Sequence, residues 1–215
     1  MIDESVKHYL QSLIGDRPNI FYEMEQYAKE EHVPIMEATG IQVMLQMMKI
    51  QKPKRILEIG TAIGYSALRM AAAVPNSGEI VTIEIDESKV KKAQQYIQRA
   101  GSDERITIIH GNALEVFEDV SKFAPFDAIF IDAAKGQYKK FFEMYSGLLA
   151  ASGCIIYVDN VLFRGLVADP TAGENKRLAK IAEKLANFNQ WLISQKQYDT
   201  VIFPVGDGLA VSRKI

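Results

Sequence analysis

The stretch "ILEIGTAIGYS", residues 56–66, decides the fold. Ile56, Leu57 and Ile59 read as a buried strand, the run stops at Gly60, and a helical pattern, "YSALRMAAAV" (65–74), begins at Tyr65. A strand that passes through a glycine turn into a helix opens a parallel α/β sheet. In such sheets ligands sit beyond the carboxyl ends of the strands, and glycine lets backbone approach them closely. The spacing is Gly60-x-x-x-Gly64, without the middle glycine of a pyrophosphate cradle, and no G-K-[ST] follows. Glu58, inside the apolar run, is costly to bury without a cationic or hydrogen-bonding partner.

Working outward, four more apolar runs read as strands: "EIVTIEI" (79–85), "RITIIH" (105–110), "FDAIFID" (126–132) and "CIIYVD" (154–159). Helical spacing lies between them, as in "ESKVKKAQQYIQRA" (87–100) and "QYKKFFEMYSGLLA" (137–150). The alternation predicts a Rossmann-like α/β fold, a mostly parallel sheet with helices on both faces. The end of the chain differs: "DTVIFPV" (199–205) and "GLAVSRK" (208–214) flank "GD", an antiparallel hairpin signal. About fifty helical residues come first, including "GIQVMLQMMKI" (40–50), whose Met and Leu stripe is most simply core packing.

At 215 residues, 48% hydrophobic and 24% charged, the chain suits one sizeable core, so residues 1–215 are expected to form a single domain with 1–50 as a helical cap. A net charge of -2 carries no global basic excess, so any nucleic-acid contact must rest on a local patch. The single cysteine, Cys154, rules out an intramolecular disulfide and a Cys-rich zinc site. The opening "MIDESVKHYL" has no apolar targeting core and no stretch approaches a membrane span, which reads as a soluble, cytoplasmic protein.

The second strand ends at Glu84, a carboxylate placed to accept the ribose hydroxyls of an adenosine. One unit further, Gly111, Asn112 and Ala113 could flank an adenine ring. Taken singly, each feature is better explained as a tight turn or a solvated strand end; loop and carboxylate in successive units favour a nucleoside cofactor. NAD would need the missing pyrophosphate cradle. S-adenosylmethionine carries a sulfonium and an ammonium group, which an acidic Glu58 beside the loop suits better.

"FIDAAKGQY" (130–138) ends a strand with Asp132, followed by Lys135, and the adjoining strand ends with Asp159 and Asn160. Two carboxylates and an amide oxygen at one sheet edge form a hard donor set, suited to Mg²⁺, Mn²⁺ or Ca²⁺. Zinc is disfavoured, because His8, His32 and His110 are dispersed. Asp159-Asn160 alone could equally be a helix cap or an Asx turn. A dication holding two vicinal substrate oxygens acidifies a hydroxyl, and Lys135 stands where it could accept that proton.

"LEIGTAIGYSALRMA" (57–71), "TIEID" (82–86), "IDAAKGQY" (131–138) and "VDNVLFRG" (158–165) resemble the cation-dependent O-methyltransferases, the family of catechol and caffeoyl-CoA O-methyltransferases. The similarity runs from about residue 35 to the C-terminus. It implies a seven-stranded class I methyltransferase sheet with an antiparallel last strand, and a homodimer. It implies Asp132, Asp159 and Asn160 as metal ligands and Lys135 as catalytic base with Asp132. Methyl-donor contacts would come from Met36, Glu58, Gly60, Tyr65, Ser66, Glu84, Gly111, Ala113 and Asp132. Ala133 and Ala134 stand where the catechol enzymes have bulky His and Trp, so a wider mouth is expected, with Phe163 and Arg164 at its lip. Within the family, "HVPIMEATG" (32–40), "DNVLFRGLVA" (159–168) and "FPVGDGLA" (203–210) look closest to a bacterial tRNA 5-hydroxyuridine methyltransferase. That likeness implies a tRNA anticodon substrate, with the wobble base converted to 5-methoxyuridine and Lys176, Arg177 and Lys180 available for phosphate contacts. A small catechol-like or hydroxycinnamoyl acceptor is the alternative.

Overall fold

The computed structural model describes residues 4–169 and 176–215. Three helices, α1 (Glu4–Ser12), α2 (Asn19–Glu30) and α3 (Ala38–Gln51), precede β1 (Arg55–Ile59). Alternation then follows: α4 (Tyr65–Ala73), β2 (Glu79–Glu84), α5 (Glu87–Arg99), β3 (Ile106–His110), α6 (Phe117–Ser121), β4 (Ala128–Ile131), α7 (Tyr138–Tyr145) and β5 (Ile155–Val158). The chain closes with α8 (Lys176–Ile193) and the hairpin β6 (Tyr198–Phe203) and β7 (Leu209–Lys214).

The seven strands lie in the order β3-β2-β1-β4-β5-β7-β6. Pairing is parallel from β3 to β5 and antiparallel where β7 meets β5 and β6. Strand order reverses at β1, whose neighbours are β2 and β4, and such a switch point opens a crevice beyond the carboxyl ends of the strands. Register decides what meets there. Ile59 stands opposite Ile83 and Ile131, and Ile131 opposite Val158, so Gly60, Glu84, Asp132 and Asp159 emerge at one edge.

Period-2 alternation divides the core between the two faces. Ile56, Phe130 and Tyr157 pack with α2, α3 and α4, where Ile41, Met44, Leu45 and Met48 are buried as the stripe of α3 predicts. Leu57, Ile59, Ile129 and Ile156 pack with Phe142 of α7 and Leu185 and Phe188 of α8. Cys154 is a buried free thiol. By contrast, α1 buries no residue, and Val6, Tyr9, Leu10 and Leu13 are exposed along it and just beyond. None of the described helices is long and apolar enough to cross a membrane.

Some boundaries depart from the sequence reading. The run 126–132 contributes Ala128–Ile131 to β4, and at its start the Asp127 carboxylate accepts the Lys54 and Arg55 N–H groups at 2.7 and 3.0 Å. The helix expected over 137–150 is shortened to Tyr138–Tyr145 and flanked by 3₁₀ turns at Lys135–Gln137 and Ser146–Leu148. Gly147 lies in the second turn, and the residue's poor helix propensity accounts for the early stop.

Candidate active site

A cavity of about 720 Å³ opens at the carboxyl edge of the sheet. Met36, Gly60, Tyr65, Ser66, Glu84, Gly111 and Ala113 line one part of it; Asp132, Lys135, Asn160, Phe163 and Arg164 line the rest. Two expected members stand elsewhere. Asp159 lines an adjoining cavity of about 480 Å³, which shares Ile35, Asn160, Arg164 and Asp207 with the first. Glu58 lines neither and has no exposed surface.

The glycine loop is built around that buried carboxyl. Glu58 pairs in register with Thr82, whose hydroxyl donates to it at 2.5 Å, while Ser66 at the start of α4 donates to the other oxygen. Ser66 faces the cavity, so Glu58 acts on the site through Ser66 rather than by touching a ligand. Burial, the largest influence, raises the Glu58 carboxyl to about 7 against the two hydroxyl donors. Gly60 (φ 108°) approaches β4 so closely that a Cβ there would strike the Asp132 carbonyl, which explains a glycine at this point.

Glu84 accepts three backbone N–H groups, from Ala62 at 2.7 Å, Ile85 at 3.0 Å and Asp86 at 2.9 Å. A carboxylate has about four acceptor sites, so Glu84 keeps acceptor capacity toward the cavity, where the ribose hydroxyls are expected. Ala113 is held by the Tyr145 hydroxyl, which donates to its carbonyl at 2.5 Å. Tyr65 is fixed from outside the loop. Its hydroxyl donates to Glu25 at 2.5 Å and accepts from Arg69 at 2.6 Å, and Arg17 also pairs with Glu25. Burial and Glu25 raise the phenol to about 12. This brace from α2 left no sequence signal, since its four members are separated by up to 52 positions (17 to 69).

The oxygen cluster assembles as the register requires. Asp132 N–H donates to the Ile59 carbonyl at 2.9 Å and Asp159 N–H to the Ile131 carbonyl at 3.1 Å, which places the two carboxyls side by side. The Asn160 amide donates to both carboxylates, at 3.1 Å each. Burial raises both carboxyls, Asp159 well above its ordinary range, and the charge of Asp132 adds to the shift at Asp159; Lys135 pulls both down. No group of three or more His, Cys, Asp and Glu among the described residues forms a metal cluster, so the donor set is two carboxylates and one amide. Two adjoining carboxylates, one of them buried, carry more negative charge than one lysine balances, and their oxygen-only chemistry fits a hard dication.

Backbone strain surrounds this pair. Asn160, Phe163 and Arg164 all have positive φ, at 61°, 47° and 55°. Residues held this way persist only where their surroundings over-determine them. Here the β6–β7 turn does so: the Asp207 carbonyl accepts from Leu162 at 2.8 Å and Phe163 at 3.2 Å, and the Gly208 carbonyl from Val161 at 3.1 Å. Lys135 Nζ lies 5.8 Å from the centroid of the Phe163 ring, and exposed Arg164 stands at the mouth of both cavities. Asp207 and Gln137, which line the large cavity, were missed by the sequence reading; "GD" carried only a turn signal.

The chain matches the family model described as O-methyltransferase over residues 12–215. It is 32% identical to a catechol O-methyltransferase of Niastella koreensis over 220 residues, 98% of this chain and 97% of that protein. A Staphylococcus aureus structure, provisionally described as a caffeoyl-CoA O-methyltransferase, superposes with a TM-score of 0.88 at 34% identity, covering 99% of this chain and 98% of that one. A Podospora anserina methyltransferase solved with S-adenosylhomocysteine bound gives 0.85 at 27% identity, covering 99% and 94%. The chain therefore belongs to this O-methyltransferase family and is an S-adenosylmethionine-dependent O-methyltransferase.

Proposed function

We propose that the chain transfers methyl to one oxygen of an acceptor bearing two adjacent oxygens, with a divalent cation, most simply Mg²⁺, held by Asp132, Asp159 and Asn160. The observation that carries this reading is the paired Asp132 and Asp159 carboxyls beside Lys135, at the edge where the large cavity opens. When bound, the cation would neutralise the carboxylates and, as a Lewis acid, acidify the acceptor hydroxyl. S-adenosylmethionine would lie along Gly60, Ser66 and Glu84, its adenosine toward Gly111 and Ala113 and its methionine end toward Tyr65 and Met36. Lys135 would take the hydroxyl proton at Nζ while the acceptor oxygen bonds to the methyl carbon and the carbon–sulfur bond breaks, releasing S-adenosylhomocysteine. The Phe163 ring beside that nitrogen keeps it at the acceptor end of the cavity. Fixing both reactants in line is the main gain, worth roughly 7–11 kcal/mol in aligned systems.

Two acceptor classes present such an oxygen pair. The catechol and caffeoyl-CoA names of the relatives support a small aromatic acceptor. The resemblance of residues 32–40, 159–168 and 203–210 supports O4 and O5 of 5-hydroxyuridine at a tRNA wobble position, a base that leaves the stack readily. The small Ala133 and Ala134, exposed Arg164 and the exposed cations Lys176, Arg177, Lys180 and Lys184 along α8 are compatible with that larger, anionic substrate. Radiolabelled S-adenosylmethionine offered with catechol, caffeoyl-CoA or 5-hydroxyuridine-containing tRNA separates the two. Label confined to tRNA and lost as salt rises selects the wobble base; label in catechol or caffeoyl-CoA with none in tRNA selects the small acceptor. No transfer to any of them, with cofactor bound, would overturn the vicinal-oxygen reading.

A further inference from the structure

Tyr138 begins α7 immediately after the turn that carries Lys135, and its ring is buried at 1% exposure against Phe188, with centroids 5.6 Å apart. Its hydroxyl is enclosed and has no hydrogen-bond partner within the protein. The charged groups that act on it are Asp132, Asp159 and Asp207, from the ends of β4 and β5 and from the β6–β7 turn. A buried hydroxyl without a partner is rare in folded proteins and calls for an occupant. A purely packing role would be filled as well by phenylalanine, which leaves no polar atom to satisfy. Those three carboxylates are acceptors, and a phenol supplies one donor. A hydrated dication held by these carboxylates would supply a further acceptor, a ligand water, close to them.

We propose that Tyr138 is a positioning residue of the cation site, its hydroxyl donating to the ion's water shell or to a ligand carboxylate once the ion is bound. The inference rests on the proposed cation reading and adds a residue behind the two carboxylates and the amide. Groups that orient metal ligands in this way typically change metal affinity by about 10–100-fold when removed.

Tyr138→Phe keeps the ring and deletes the one atom at issue. The test uses Mn²⁺ as probe, titrated into the full chain and followed by electron paramagnetic resonance, with solvent-proton relaxation reporting bound water. Binding of S-adenosylhomocysteine without cation and the thermal midpoint of the cation-free protein serve as controls. The expected result is an Mn²⁺ dissociation constant raised about 10–100-fold and an altered relaxation signal. S-adenosylhomocysteine affinity should stay within about twofold, and the cation-free variant should melt no lower than the parent, since it loses an unpartnered polar atom. Mn²⁺ binding equal to the parent's would overturn the role of Tyr138 alone. A parallel loss of S-adenosylhomocysteine binding would make the hydroxyl a fold determinant and overturn it as well. A parent chain that binds no Mn²⁺ would overturn the cation reading itself.

Discussion

Glu58 shows how one residue can serve both fold and site. An ordinary glutamate ionises near 4.5, whereas burial holds this one at about 7. Between those values the folded chain keeps a proton that the unfolded chain releases, so stability falls as pH rises through the window. Glu58→Gln removes that contribution: its denaturant midpoint should fall less than the parent's between about pH 5 and about pH 8. Equal slopes would mean that the carboxyl is already ionised in the fold. At Lys135 the expected effect is on rate. Lys135→Met should lower kcat by about 100- to 10,000-fold, the range for a lost general base, while S-adenosylhomocysteine affinity is unchanged. A kcat within threefold or so of the parent's would assign the proton to water or to another group. Glu58 was legible in the sequence as an anomaly; its partners Ser66 and Thr82 became visible only when register set β1 against β2.

At the scale of elements, the β6–β7 turn fixes the strained segment 160–164. Gly208 has φ 93°, and a Cβ there would collide with the backbone nitrogen of Leu162 at 2.7 Å. Gly208→Ala should therefore destabilise by about 1–3 kcal/mol and weaken acceptor binding more than cofactor binding. Paired calorimetric titrations of the two ligands would measure the split, and equal losses would reduce the turn to a general fold determinant. The hairpin itself was readable from two β-favouring runs about "GD", as were the five parallel strands from alternating apolar runs and helical spacing. Its packing against the loop after β5 was not, because no local pattern in residues 203–210 specifies which loop the turn will meet. The juxtaposition of Asp132 and Asp159 lay between these cases: strand ends give the candidates, and β4–β5 adjacency follows from topology. Glu84 marks the limit of such reading, since the three N–H groups it accepts come from backbone that sequence pattern does not place.

Over the whole molecule, the helical N-terminal region is the least absorbed into the core. Of these three helices only α2 and α3 bury apolar residues, and Tyr9 of α1 and Leu13 just beyond it are more than half exposed, at 63% and 61%. A homodimer covering this edge is expected, and sedimentation should give twice the chain mass, falling toward the monomer in Tyr9→Asp/Leu13→Asp. A parent chain that sediments as a monomer at micromolar concentration would leave the edge without that partner. The central claim is that methyl transfer takes place at the Asp132–Asp159–Asn160 edge and requires a divalent cation. It is tested most directly by measuring labelled methyl transfer to the preferred acceptor in EDTA, after Mg²⁺ is restored, and in Asp159→Ala. The account predicts no transfer in EDTA, recovery on adding Mg²⁺, and none in Asp159→Ala at any Mg²⁺ concentration; undiminished transfer in EDTA or in that variant would contradict it.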